Sequence, residues 1–360
     1  MKNICFTIRN IDCGGGTERV GLRLANALAE RGYNVHMVSY DAKANRPFFH
    51  CDGRIKLWCI LDNIFHRRFR WHFWYGAYRF RRYLKKNKID VVIDIDTFNA
   101  LWTAPAIKGT DIKWISWDHF NYSYCAGELR KKALQLVHNQ ANALVLISKA
   151  DRETYLRETA FKPDFLKQIY NPLSFEVDHP IDHSKQKKVI AMGRIAPQKG
   201  FDLLLEAWKT VEKQVPDWQL EIVCGYGDYE ALEQEARDMG LRNVVCTGPT
   251  KDVQGKMSSA AIFALSSRFE GFGLVLTEAA ICSVPAVSFD CPCGPNEIIT
   301  DGYDGLLVEP ENVPQFAEKL ITLMKDDELR VQMGRNAYTS AHRFSMNTIL
   351  PQWMELIENL

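Results

Sequence analysis

The sequence lacks the features that would place it in several simple classes of protein. Its 360 residues contain 45 Lys and Arg against 44 Asp and Glu, so a strongly basic nucleic-acid-binding face is not expected. No run approaches the roughly 18 to 20 apolar residues of a membrane-spanning helix, and the first ten residues lack the apolar segment of a signal peptide. The ten cysteines form no C-x2-C pair, which favours reduced thiols over a zinc or disulfide scaffold. We therefore expect a globular, cytoplasmic protein that binds no nucleic acid.

Short apolar runs instead alternate with helical patterns from one end of the chain to the other. Such runs are typical of parallel strands that helices cover on both faces. The predicted strands are residues 4–8, 35–38, 56–59, 91–93, 114–116, 144–147, 189–192, 220–223, 244–246, 262–265, 286–288 and 305–308.

A break in this alternation indicates where one domain ends. The segment Asn171-Pro172-Leu173-Ser174 is followed by a charged, strand-poor stretch from Asp178 to Lys188. The pattern predicts an α/β fold with two Rossmann-like, doubly wound domains, at residues 1–172 and 173–343. A C-terminal helix at 344–360 could pack back on the first domain. In such sheets ligands bind beyond the carboxyl ends of the strands, so we expect the two domains to face each other across a cleft.

A glycine-rich loop, Gly14-Gly15-Gly16, directly follows the first predicted strand. Glycines let a phosphate or a sugar approach the N–H groups at the start of a helix, which we expect at Glu18 to Glu30 with Thr17 as its cap. The order is not G-x-G-x-x-G, so a dinucleotide site is not indicated. The alternative is a tight turn without a ligand.

A second loop, Gly193 to Gly200, follows the first strand of the second half. Arg194 and Lys199 stand five residues apart in it, and a guanidinium fork with a mobile ammonium suits the oxygens of a diphosphate. Taken alone, the loop could equally be a solvated turn.

A third motif pairs two carboxylates across a predicted strand-to-helix corner. Glu270 lies in a glycine turn, and Glu278 lies eight residues later in the helix that begins near Gly273. Carboxylates accept hydrogen bonds from paired hydroxyls, so a sugar and a ribose are natural ligands. The alternative is ordinary surface glutamates.

Together these three motifs resemble the retaining glycosyltransferases of family 4, which have the two-domain GT-B fold. By that resemblance Arg194 and Lys199 hold the nucleotide diphosphate, Glu270 binds hydroxyls of the donor sugar, and Glu278 binds the ribose. The same resemblance assigns donor contacts to the backbones of Phe272, Gly273 and Leu274, and to Gly15 and Gly16. The stretch Asp290 to Ile299 looks like the subgroup that builds bacterial surface polysaccharides on lipid carriers. Cys293 is given no role.

Two further polar features follow strands of the first half. His119 comes after the strand that ends at Ser116, and in similar enzymes a His near this point faces the donor sugar and the acceptor; Asp118 is the weaker candidate. Asp94-Ile95-Asp96 has the form of a metal-binding D-x-D. We interpret it as a polar strand end, because the basic pair can stabilise the leaving diphosphate in place of a metal. No essential metal or other cofactor is therefore predicted.

A basic aromatic segment lies between His66 and Lys88, with nine Lys or Arg, eight aromatic residues and no acid. Phe73, Ala77, Phe80 and Leu84 form one helical stripe that would pack on the sheet. The opposite side carries aromatic and basic residues that suit an anionic membrane surface or a lipid-linked pyrophosphate. The predicted patch consists of Trp71, Trp74, Arg79, Arg82, Lys85 and Lys86. The alternative is a solvated charged face.

The resemblance implies a retaining, metal-independent hexosyltransferase on the inner face of the cytoplasmic membrane. It would move a hexose or N-acetylhexosamine from a UDP-linked sugar to a saccharide on a polyprenyl pyrophosphate. Two alternatives stay open at this stage. One is a nucleotide-sugar epimerase of similar architecture, and the other is an idle scaffold that binds nucleotide sugars.

Overall fold

The computed structural model describes residues 1–42, 45–61, 72–124 and 127–360, and it divides into two compact units. The first unit comprises Met1–Ser174 together with Met346–Leu360, and the second comprises Phe175–Ser345. The chain thus changes unit at 174/175 and 345/346, beside the predicted boundaries at 172/173 and 343/344.

In its described residues the first unit contains one parallel sheet of seven strands. The strands are β1 (Asn3–Ile8), β2 (Asn34–Ser39), β3 (Lys56–Cys59), β4 (Val91–Ile95), β5 (Lys113–Asp118), β6 (Ala143–Leu146) and β7 (Leu166–Gln168). Their order across the sheet is β3-β2-β1-β4-β5-β6-β7, so the order reverses between β1 and β4. The helices of this unit are α1 (Gly16–Glu30), α2 (His72–Lys86), α3 (Ala100–Ile107), α4 (Glu128–Gln140) and α5 (Lys149–Glu158).

The second unit repeats this plan with a parallel sheet of six strands, counted over its described residues. The strands are β8 (Lys188–Gly193), β9 (Gln219–Cys224), β10 (Val244–Thr247), β11 (Ile262–Leu265), β12 (Ala286–Phe289) and β13 (Gly305–Val308). Their order is β10-β9-β8-β11-β12-β13, with the reversal between β8 and β11. The helices are α6 (Phe201–Gln214), α7 (Tyr229–Asp238), α8 (Val253–Ser258), α9 (Leu274–Ile281), α10 (Pro295–Ile298), α11 (Val313–Lys325) and α12 (Asp327–Ala341).

The last helix, α13 (Met346–Glu358), belongs to the first unit. Its fully buried Trp353 packs against Trp117 at the end of β5, with the ring centroids 4.7 Å apart. Lys2 donates to the carbonyl of Ile357 at 2.5 Å. Apolar burial and a tie to the first strand therefore hold the C-terminus on the first sheet.

The predicted fold class is confirmed, because both sheets are parallel and doubly wound, and each of the twelve predicted strands is present. The inner strands β1, β4, β5, β11 and β12 are buried on both faces, as their continuous apolar sequences require, whereas the edge strands β3 and β10 are partly exposed. β7 was not predicted. It is three residues long and only Leu166 in it is fully covered, so it carries no apolar run to signal it.

Candidate functional site

Two loops of the second unit meet at the point where its strand order reverses. β8 and β11 are hydrogen-bonded neighbours, so the loop after Gly193 and the turn after Leu265 leave the same edge of the sheet side by side. The backbone N–H of Arg268 donates to the carbonyl of Gln198 at 2.8 Å, and the Ser266 hydroxyl donates to the carbonyl of Lys199 at 2.9 Å. The loops that carry the predicted diphosphate and sugar residues are therefore one connected structure.

Lys199 and Glu270 form a covered ion pair at this edge. Nζ of Lys199 lies 2.6 Å from Oε1 of Glu270, and the two side chains are 13% and 8% exposed. The hydroxyl of Ser267, which is 1% exposed, donates to the same Oε1 at 2.6 Å. A covered carboxylate is stable only when it is paired and hydrogen-bonded, and this one has both kinds of partner.

Arg194 stands at the exposed end of the same loop. Its guanidinium donates to the side-chain oxygen of Gln198 at 3.3 Å, and the Gln198 amide donates to the carbonyl of Phe269 at 3.0 Å. Gln198 thus links the arginine to the turn that precedes Glu270. The guanidinium is exposed to solvent, and its terminal nitrogen is held by the hydrogen bond to Gln198.

The turn ends at Gly273, which is the N-cap of α9 with φ +93° and no side-chain cap. The first N–H groups of a helix have no partner within it, and the helix dipole favours negative charge there. Leu274 opens the helix, whereas the Phe272 ring is buried and packs edge-on against Phe344 at 5.5 Å. Phe272 can therefore serve a ligand through its backbone, while its side chain belongs to the core.

Glu278 lies further along α9 and is 4% exposed. Burial raises the pKa of the neighbouring Cys282 thiol to about 11, and the Glu278 carboxylate adds to that rise. Cys291, which is also buried, follows β12 beside the ion pair. Burial raises the pKa of its thiol, the Glu270 carboxylate raises it further, and Lys199 opposes the rise. Glu270 and Glu278 thus lie near the thiols of Cys291 and Cys282, which stay protonated and neutral near pH 7.

His119 directly follows β5 in the first unit and packs against Trp117, with ring centroids 4.5 Å apart. Its Nε2 atom is buried without a hydrogen-bond partner in the described part of the chain. Burial lowers the pKa of the imidazole to about 4, against a weaker opposing effect of Asp118. The ring is therefore neutral near pH 7, with an unsatisfied nitrogen that a ligand hydroxyl can pair.

Asp118 is part of a buried network beneath His119. It pairs with Arg130 of α4 and accepts from the Tyr155 hydroxyl of α5 at 2.5 Å. Burial acts to raise the pKa of Asp118, but the charge of Arg130 and these hydrogen bonds hold it below its usual value. The carboxylate is engaged in anchoring α4 and α5 to the end of β5.

The carboxylates of Asp94 and Asp96 have different hydrogen-bond partners. Asp94 is fully buried and accepts from the Thr7 hydroxyl at 2.6 Å, the Thr103 hydroxyl at 2.7 Å and the Trp114 indole at 2.9 Å. Asp96, at φ +90°, accepts from the N–H of Phe98 and caps the short 3-10 helix that follows β4. Burial raises the pKa of each carboxyl to about 7. Asp94 thus holds together four elements of the first unit.

The glycine loop lies at the strand reversal of the first unit, but its helix starts earlier than the sequence predicts. α1 begins at Gly16 with Gly15 as its N-cap, so the expectation that Thr17 caps a helix from Glu18 is wrong. The Glu18 carboxylate folds back to accept backbone hydrogen bonds at Gly15 and at its own N–H. A carboxylate already occupies the terminus, so sugar hydroxyls are better partners there than a phosphate.

The basic aromatic patch is described from Trp74 onward, and Trp71 lies outside the described residues. Ala77, Phe80 and Leu84 are buried as one stripe in the apolar core, as predicted. On the other side Trp74 is 70% exposed and Tyr78 is 58% exposed. The guanidinium of Arg79 lies 5.5 Å from the Trp58 ring, and that of Arg82 lies 5.8 Å from the Tyr78 ring, while Lys85 and Lys86 are exposed.

Comparison with known proteins agrees with this architecture. Residues 14–177 match the Glycosyltransferase Family 4 domain, and residues 176–340 match the Glycosyl transferases group 1 domain. Among solved structures, Staphylococcus aureus TarM (TM-score 0.83, 17% identity, 99% of each chain) and HepE of Anabaena in complex with UDP-glucose (TM-score 0.83, 19% identity, 100% of each chain) share the fold. The chain is thus a two-domain glycosyltransferase of the GT-B fold, and it belongs to the family defined by these two domains.

Three sequence relatives that match nearly the whole chain come from bacteria. An uncharacterized glycosyltransferase of Haemophilus influenzae is 29% identical over 99% of this chain and 100% of its own length. The amylovoran biosynthesis glycosyltransferase AmsD of Erwinia amylovora is 28% identical over 99% and 100%. A Campylobacter jejuni relative, 26% identical over 99% and 98%, is named as an alpha-1,4-N-acetyl-D-galactosaminyltransferase acting on a diNAcBac-PP-undecaprenol saccharide. The protein is a glycosyltransferase of the bacterial surface-polysaccharide type.

Proposed function

We propose that this protein moves a hexose or N-acetylhexosamine from a UDP-linked sugar to a saccharide on a polyprenyl pyrophosphate. The observation that carries the proposal is the Lys199–Glu270 pair, because it places a phosphate-type cation and a hydroxyl-type carboxylate 2.6 Å apart. A sugar joined to a diphosphate presents hydroxyls next to phosphate oxygens, so it needs both kinds of partner side by side. The UDP-glucose complex of HepE, which has the same fold, and the undecaprenol-linked acceptor of the Campylobacter relative support the donor and acceptor classes.

In this proposal the donor diphosphate lies against Arg194, Lys199 and the start of α9. Glu270 accepts hydrogen bonds from sugar hydroxyls and Glu278 from the ribose. As the sugar–phosphate bond breaks, negative charge grows on the leaving oxygen. In this arrangement the two cations and the helix N-terminus lie beside that oxygen, so they stabilise the transition state more than the ground state.

We propose that transfer retains the anomeric configuration and needs no metal ion. In a front-face displacement the leaving phosphate oxygen takes the proton of the acceptor hydroxyl, and no enzyme nucleophile is required. Arg194 and Lys199 supply positive charge to the diphosphate. The hydrogen bonds of Asp94 support this proposal, because both of its carboxylate oxygens already accept from buried side chains and are engaged away from any metal ion.

His119, Gly15 and Gly16 are proposed to serve the hydroxyls of the sugars. The neutral imidazole of His119 has a buried, unpaired Nε2 in the described structure. A hydroxyl bonded to that nitrogen removes the cost of leaving it unpaired. The glycine loop offers close backbone approach without a second anion-binding site.

We also propose that α2 rests on the inner face of the cytoplasmic membrane, where a polyprenyl-linked acceptor would be embedded. Exposed Trp74 and Tyr78 suit the lipid headgroup region, and Arg79, Arg82, Lys85 and Lys86 suit anionic lipids at about 1 kcal/mol for each cation. Among the described helices, none has the length and apolar character to cross a bilayer. Attachment through α2 would therefore be peripheral.

The test is transfer from radiolabelled UDP-glucose, UDP-galactose, UDP-N-acetylglucosamine and UDP-N-acetylgalactosamine, with and without a bacterial membrane lipid extract. We expect label to enter the lipid phase with one of them, to persist in EDTA, and to form an α-linkage by NMR. Glu270→Gln is the matched control and should abolish transfer. Interconversion of the sugar without any lipid would indicate an epimerase, binding without turnover would indicate a scaffold, and loss in EDTA with rescue by Mn²⁺ would refute metal independence.

A further inference from the structure

Two donors converge on one oxygen in the covered ion pair. The Lys199 ammonium and the Ser267 hydroxyl each lie 2.6 Å from Oε1 of Glu270. Ser267 is 1% exposed and stands three residues before Glu270 in the same turn. Oε1 of Glu270 therefore accepts from a donor in its own turn and from a donor in the loop after β8.

Lys199 serves two anions once a nucleotide sugar binds. Its ammonium has three N–H donors, so one can turn to the diphosphate while another stays on Glu270. Any shift of Nζ toward the diphosphate still lengthens the contact with Glu270 and weakens the ion pair. A carboxylate that is 8% exposed and loses its cation would pay a desolvation cost or turn to follow the lysine. Either response would move the oxygens that Glu270 offers to the sugar.

We propose that Ser267 is a positioning residue that keeps Glu270 directed at the donor sugar while Lys199 engages the diphosphate. This inference rests on the proposed function and deepens it, since it separates recognition of the sugar from recognition of the nucleotide. The serine hydroxyl is a short, uncharged donor with a single proton, and it already donates that proton to Oε1. The hydroxyl stays hydrogen-bonded to Oε1 while the Lys199 ammonium shifts toward the diphosphate, so the carboxylate keeps this donor.

The neighbouring serine has a different role. Ser266 donates its hydroxyl to the backbone carbonyl of Lys199, which ties the two loops together but leaves the Glu270 carboxylate untouched. Ser288 in β12 is a second buried serine, and its hydroxyl donates to the carbonyl of Phe289 at 2.8 Å. Ser288→Ala is therefore a burial-matched control for loss of a serine hydroxyl.

The experiment measures the affinity of full-length Ser267→Ala for UDP and for UDP-glucose and UDP-N-acetylgalactosamine by calorimetry, with transfer kinetics on the sugar that the wild type accepts. We expect the Kd for UDP to stay within about twofold, and the gain in affinity that the sugar provides to disappear. The value of kcat/KM should fall about 10- to 100-fold, as for loss of a hydrogen bond to a charged group. Ser267→Thr keeps the hydroxyl and should recover most of the loss, and Ser288→Ala should resemble the wild type.

Three results would overturn the inference. The first is wild-type kinetics in Ser267→Ala. The second is an equal loss of affinity for UDP and UDP-sugar, which would indicate general damage to the loop. The third is a failure of Ser267→Thr to recover activity although its Tm equals that of the wild type. If the wild type itself binds no nucleotide and transfers no sugar, the proposed function is refuted and this inference with it.

Discussion

Nζ of Lys199 and Oε1 of Glu270 lie 2.6 Å apart although 71 residues separate them in the chain. The contact exists because β8 and β11 are neighbours at the reversal of strand order, which brings the loops that follow them together. The pair is covered, whereas Arg194 on the same loop is exposed. The two cations should therefore respond differently to substitution.

Lys199→Ala should reduce both turnover and stability, while Arg194→Ala should reduce turnover alone. Each loses a charge contact to the leaving diphosphate, which can cost roughly 3 kcal/mol of transition-state stabilisation, or about 100-fold in kcat. Only the lysine also leaves a covered carboxylate without its cation. Transfer kinetics and thermal unfolding would measure the two effects, and near-wild-type rates in both variants would contradict the assignment.

Gly294→Ala should destabilise the second unit and weaken donor binding. A Cβ there would lie 1.9 Å from the carbonyl oxygen of Phe272, and φ is +115°. The backbone of the Glu270 turn would have to move, at a cost of roughly 3 kcal/mol or more. Gly302→Ala is the control, because φ is +74° but a Cβ would meet nothing within 4 Å. Equal Tm values and equal UDP affinities in the two variants would argue against the clash.

The stability of Asp94→Asn relative to the wild type should increase as pH rises. Burial raises the pKa of this carboxyl to about 7 from its ordinary 3.8, so the folded state binds a proton that the unfolded state releases. In the wild type this contribution to stability is lost between about pH 4 and pH 7, and the variant has none to lose. The unfolding free energy of the variant minus that of the wild type should rise by about 2–3 kcal/mol from pH 5 to pH 8. Asp96 is present in both proteins, and the Asp94 charge is only the smallest cause of its raised pKa. A free-energy difference that stays constant with pH would therefore refute the raised pKa of Asp94.

The wild-type protein should sediment with anionic liposomes and remain in the supernatant with zwitterionic ones. Replacing Arg79, Arg82, Lys85 and Lys86 by Ser should abolish sedimentation and leave UDP binding unchanged. Binding should weaken with salt, because the screening length falls from about 8 Å at physiological ionic strength to about 3 Å at 1 M.

A charge-matched control for that variant replaces four exposed lysines elsewhere, Lys162, Lys185, Lys213 and Lys325, by Ser. It should sediment like the wild type. If both four-residue variants lose binding equally, net charge rather than the patch drives attachment. If the α2 variant loses transfer to a short detergent-soluble acceptor but keeps liposome binding, the patch holds the acceptor pyrophosphate instead.

Much of the fold was readable because its signals are local. A strand covered on both faces is a continuous apolar run, and the partly exposed edge strands β3 and β10 still contain short apolar runs. All twelve predicted strands could therefore be identified without knowing their neighbours. The buried stripe of Ala77, Phe80 and Leu84 follows in the same way from helical spacing. Thr17 was mistaken for a cap because two candidate oxygens, its hydroxyl and the Glu18 carboxylate, compete for the same helix end, and sequence spacing does not rank them.

The sequence by itself determined the residue types of the donor loops and their places after β8 and β11, since each follows an apolar run directly. Only the tertiary structure decided which of them touch. Ser267 contacts Glu270 because the folded turn brings the hydroxyl to the carboxylate, which serine and glutamate three residues apart do not signal by themselves. Asp118 contacts Arg130 because α4 packs against the end of β5. Burial then shifted the pKa values of His119 and Asp94, because desolvation depends on everything packed around a group and not on its neighbours in the chain.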